Sequence, residues 1–100
     1  MNHIYERKPS VLTTKAGEGI QLTDLDDLTG IHQIDGCAQY IWLALNGDKP
    51  FLEVIQDVQT ELDIASVDQS RFKEDAIHFL HRLVAKNLVI TRETHDDSDR

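Results

Sequence analysis

Strand-like periodicity gives way to helical periodicity near residue 35, and this order constrains the fold more than any other feature of the 100 residues. Residues 10–15 (SVLTTK) are rich in β-branched side chains, and Gly17 and Gly19 bracket a break. Ile20, Leu22 and Asp24 then alternate with polar neighbours, the period-two pattern of a strand. Asp26, Asp27, Thr29 and Gly30 form a turn-like cluster, after which residues 30–34 read as a third strand folded back on the second.

Asp35 stands where a helix N-cap belongs. Ile34, Ala38, Ile41, Trp42 and Leu45 share one helical stripe, and Asn46-Gly47 supplies a left-handed stop. Pro50 sits in the first turn of a second helix whose buried face is Phe51, Val54, Ile55, Val58 and Leu62. A third helix starts at Ser66, which has capping-box spacing to Gln69. It buries Phe72, Ala76, Phe79, Leu80 and Leu83 and ends near Lys86, with Asn87 as a left-handed residue before a short apolar coda. Strands segregated before helices predict an α+β domain: a winged helix-turn-helix with a three-stranded antiparallel sheet followed by a three-helix bundle. That fold serves DNA and protein recognition alike, so function must come from a site.

Charge narrows the partners. A formal charge of -8 and a pI near 4.9 oppose the phosphate backbone, so no nucleic acid is expected, although a winged-helix transcriptional regulator stays as the alternative reading. Residues 18–63 hold ten acids and one lysine, whereas residues 64–91 hold four bases against three acids. The longest apolar run covers only residues 40–45, which with the absence of a signal-like N-terminus predicts no membrane partner and a cytoplasmic location. A single cysteine, Cys37, rules out an internal disulfide and any cysteine cluster for zinc.

No catalytic set emerges. Gly17-Glu18-Gly19 lacks the residues of a phosphate-binding loop and reads as a turn. His78 and His81, with Glu74 and Asp75 upstream, have spacing that can hold a metal, but a solvated polar stripe is the better reading and no metal or other cofactor is expected. Cys37 near a helix start can be a reactive thiol, yet its apolar neighbours favour a small buried residue. Trp42 and Ile41 belong to the core stripe. What remains is a surface: the outer edge of the third strand beside the third helix, on which Ile77 and Val84 lie off the core stripe next to Lys73 and His81. Those two apolar residues either line a groove or widen the core face.

The string GIHQIDGCAQYIWLALNGD, with the later DAIHFLHRLVAKNLVI, resembles the PqqD-like family, in which a short strand leads to a helix containing Ile-Trp and a closing helix precedes Gly-Leu-Val. Ile34-Asp35 replaces Leu-Asn, Asn46-Gly47-Asp48 shifts the usual Asp-Gly, and Asn87 replaces a glycine. The resemblance implies a peptide-binding domain over residues 10–91; the weak periodicity of the N-terminal segment and the polar tail predict a flexible N-terminus (1–9) and a disordered acidic tail (92–100) on either side of it. It implies a non-catalytic chaperone, not an enzyme, that binds the leader of a ribosomally made precursor peptide by strand addition and delivers it to a modifying enzyme such as a radical-SAM protein, a peptidase or a cyclodehydratase. On this chain the implied strand edge is Gly30, Ile31, His32 and Gln33, and the implied helix side is Lys73, Ile77, Leu80, His81 and Val84. Arg71, Lys73, Arg82 and Lys86 make that helix locally basic, which suits an acidic leader.

Overall fold

The computed structural model describes residues 3–92, with the side chains of residues 27–30 outside that description. The chain order is β1 (Ile4–Arg7), β2 (Val11–Ala16), β3 (Gly19–Asp24), β4 (Asp27–Ile34), α1 (Ala38–Leu43), β5 (Asn46–Pro50), α2 (Phe51–Glu61), α3 (Ser66–Ala85) and β6 (Val89–Arg92). The α+β expectation holds: β2, β3 and β4 form an antiparallel meander, and three helices follow. A second antiparallel sheet was not expected, and in it β1 lies between β5 and β6.

This second sheet corrects the reading of a loose N-terminal segment. Residues 4–7 are its central strand because Tyr5 is buried edge-on against Phe51, with ring centroids 5.9 Å apart. It also takes up Asn46-Gly47: Asn46 pairs with Glu6, so α1 ends at Leu43 before the expected stop is reached. Residues 1–2 and the tail from 93, expected to be flexible and disordered, lie outside the described residues.

The core joins both sheets to the helices. Leu22 from β3, Trp42 from α1, Phe51 from α2 and Leu80 from α3 are all fully buried, each contributing about 1.5–3 kcal/mol by leaving water. The Trp42 indole Nε1–H donates to Thr13 Oγ1 at 2.9 Å, tying α1 to β2. Gly19 allows the turn end of β3 to approach β4, since a Cβ there would collide with the Ile34 carbonyl oxygen and the Asp35 carboxylate.

Buried Asp24 holds the other end of β3. Its Oδ1 accepts from the Asp26 amide and from Ser10 Oγ, both at 2.9 Å, and its Oδ2 accepts from Lys8 Nζ at 3.1 Å. The Asp26 amide, aided by Lys8 and Ser10, lowers the carboxyl below its ordinary value of 3.8, against the opposing effect of burial.

Helix ends follow the sequence in part. Asn87 is left-handed at φ 60°, and its amide donates to Val84 O while the Leu88 amide donates to Leu83 O, both at 3.0 Å. These bonds satisfy the last carbonyls of α3, and Leu83 and Leu88 are both buried beneath them. Asp63, at φ 56°, closes α2 in the same way through the Ile64 amide and Gln59 O. The expected starts differ. Gly36, at φ +64°, turns the chain beyond Asp35, so Cys37 is the N-cap of α1 and makes no side-chain cap bond. Cys37 is exposed, not buried. Ala65, not Ser66, caps α3, and Gln69 instead donates to Ile64 O at 3.2 Å. No helix among the described residues is long and apolar enough to cross a membrane.

Candidate functional site

An edge strand presents backbone donors and acceptors that its own sheet leaves unused. In the meander β3 pairs on both sides, which leaves one side of β4 without a partner among the described residues. Register places His32 opposite Leu22 and Ile34 opposite Ile20. His32 and Ile34 are half-buried on the face that holds those two core residues, whereas Ile31 and Gln33 alternate outward and are exposed.

The C-terminal half of α3 lies across a cleft from this edge. The cleft, of about 230 Å³, is lined by residues 31–34 of β4, by Phe79, Arg82, Leu83 and Lys86 of α3, and by Leu88. A second hollow of about 260 Å³ lies between the start of α1 and the first half of α3, lined by Cys37, Ala38, Ile41, Phe72, Asp75, Ala76 and Phe79. Phe79 lines both, so the two are consecutive compartments along one face of α3. Their chemistry differs. The β4 compartment has two cationic side chains and no acid in its lining, while the α1 compartment is apolar apart from Asp75.

Of the strand residues implied by the resemblance, Ile31, His32 and Gln33 line the cleft, and Gly30 belongs to β4 but falls among residues whose surroundings are not described. The helix side is different. Leu80 is fully buried and Ile77 packs half-buried against the core. Lys73 lines a separate hollow between α2 and α3, beside Leu52, Gln56 and Gln59. His81 and Val84 are exposed and line neither compartment. The face that meets β4 is instead Phe79, Arg82, Leu83 and Lys86, about half a turn further round the helix. Apolar periodicity identifies two usable stripes on α3 and does not say which one the sheet approaches. The available signal is the run Phe72, Ala76, Phe79, Leu83, which the sequence assigns to the core, with Arg82 and Lys86 at its end, the two of the four basic residues suited to an acidic leader that do line the cleft.

His78 and His81 gather no further ligands: among the described residues no three His, Cys, Asp or Glu side chains sit close enough to hold a metal ion.

The family model described as "Coenzyme PQQ synthesis protein D (PqqD)" matches residues 22–89. The fold is similar to that of a solved structure, TbiB1 in complex with the TbiA(beta) leader peptide, at TM-score 0.67 and 24% identity over 92% of this chain and 99% of that one. No curated protein matches.

Proposed function

The chain belongs to the PqqD family, and from that premise we propose that it binds the leader of a ribosomally made precursor peptide as a strand added to β4 and hands the peptide to a modifying enzyme. The observation that carries the reading is the unpartnered side of β4 beside the cleft to α3. Main-chain bonds along β4 supply affinity that any extended peptide can use, and the side chains around the cleft select among peptides. That the similar TbiB1 structure contains a leader peptide supports the choice of ligand.

Electrostatics refine it. The chain carries -8 overall and repels an acidic peptide over most of its surface, while Arg82 and Lys86 draw one into the cleft. Ile31, His32 and Gln33 form the receiving edge. The domain holds the peptide without altering its bonds, and the chemistry belongs to the partner, a radical-SAM protein, peptidase or cyclodehydratase, in the cytoplasm where ribosomal precursors arise. The acidic stretch 18–63 offers that enzyme a surface complementary to a basic patch.

Backbone pairing is tested on the ligand so that the protein stays intact. A precursor leader with alternate amide nitrogens methylated should lose most of its affinity in an anisotropy titration, and methylation at the intervening positions should cost much less. Equal effects in both phases, or β4 amides whose hydrogen exchange is unchanged by the peptide, would refute strand addition.

A further inference from the structure

The two compartments differ in character and follow each other in a fixed order along α3, so an occupant spanning both is read in one direction. We infer that the cleft selects an extended peptide in which an apolar side chain precedes an acidic one, N-terminal to C-terminal, by about four residues, an even offset that keeps both on one face of the strand. The inference rests on the strand-addition reading and specifies the ligand for it.

Spacing comes first. The α3 residues of the apolar compartment centre near Ala76, and those of the cationic compartment centre near Leu83. At a helical rise of about 1.5 Å per residue this separation is roughly 11 Å. An extended strand covers it in about three to four residues at roughly 3.3 Å each. One side chain therefore enters the hollow between Ile41 and Phe72 while another, on the same peptide, reaches Arg82 and Lys86.

Direction follows from β4. The chain passes the cationic compartment in residues 31–34 and then, beyond Gly36, the apolar compartment at Cys37 and Ile41. A peptide that continues the antiparallel pattern of the meander runs the opposite way, entering at the apolar hollow and leaving past Arg82 and Lys86. Antiparallel pairing is also the more stable per residue.

Asp75 enforces the order by repulsion. A peptide of the same composition in reverse sequence sets its acid beside Asp75 and its apolar side chain between two cations, losing apolar burial and gaining a like-charge contact. Specificity here depends as much on what Asp75 rejects as on what Arg82 attracts.

The test uses the full chain and two labelled peptides with a serine–threonine background: one with leucine followed about four residues later by a glutamate pair, and its exact retro-sequence. Anisotropy titrations should show the forward peptide binding about tenfold tighter or better. In the Asp75→Lys/Arg82→Glu variant, whose substituted residues are exposed, the forward advantage should shrink or invert for the glutamate peptides and be recovered when lysine replaces glutamate. Equal binding of the forward and retro peptides, with binding still lost on amide methylation, would overturn the polarity and leave strand addition standing. Binding of neither, or binding indifferent to methylation, would overturn both.

Discussion

The two sheets of this domain are built in opposite ways. The β2–β3–β4 meander uses consecutive stretches of chain joined by tight turns, whereas the β5–β1–β6 sheet gathers strands from residues 4–7, 46–50 and 89–92. The local sheet leaves one side of β4 unpaired among the described residues, the edge proposed above for the peptide, and the non-local sheet closes the chain around Tyr5 and Phe51. On the proposed function, recognition and closure fall to different sheets, so changes to one should leave distinct signatures from changes to the other.

The sharpest way to break the comparison is to remove residues 1–7. Losing β1 leaves β5 and β6 without a shared partner and takes Tyr5 out of the core, so cooperative thermal unfolding should disappear. An unchanged melting curve would mean that β1 closes nothing. Tyr5→Ala alone should cost about 3 kcal/mol in urea denaturation. In the meander, Gly19→Ala forces a Cβ against Ile34 O and Asp35, with an expected cost of about 1–3 kcal/mol and a fall in peptide affinity, since the disturbed end of β4 borders the cleft. A loss of stability with affinity intact would uncouple that junction from binding.

Smaller effects sharpen the same contrast. Asp63→Gly relieves a left-handed aspartate at the end of α2, far from either sheet's pairing, and should stabilise by about 0.5–1 kcal/mol. Asp24 supplies a pH signature for the meander. Because folding lowers its pKa, its contribution is complete above the ordinary value of 3.8 and is lost as pH falls through the lower folded value. Asp24→Asn should therefore flatten the acid limb of the stability–pH profile, and a profile identical to that of the parent would show that other carboxylates govern it.

The contrast also explains what was legible in the sequence. The meander could be read because alternation and β-branched residues are local signals, although β4 begins at Asp27, so that Asp27, Thr29 and Gly30 of the expected turn are strand; Asn87 could be placed because a helix stop is local too. The other sheet could not. Its strand 46–50 reads Asn-Gly-Asp-Lys-Pro, which has no strand character of its own and becomes one only by pairing with β1 across some forty residues. The same limit applies to the cleft. That the third strand forms an edge follows from the meander, but which helix residues line the cleft depends on how α3 is rotated against β4, a tertiary fact that seats Phe79 and Arg82 at the cleft and turns Val84 away. Asp35 and Ser66 were misread as caps because local propensity was overruled, at Gly36 and Ala65, by the path the chain takes into each helix.

Pairing of Ile4 with Arg92 brings the two limits of the fold onto neighbouring strands of one sheet. Whatever chain comes before β1 and whatever comes after β6 must leave from a single spot. A domain with that geometry can be spliced into a surface loop of a larger host without prising the loop apart. It also tolerates, in principle, cyclic reordering of its segments: a short linker from residue 92 back to residue 4, with new ends opened in a turn, preserves every pairing in both sheets.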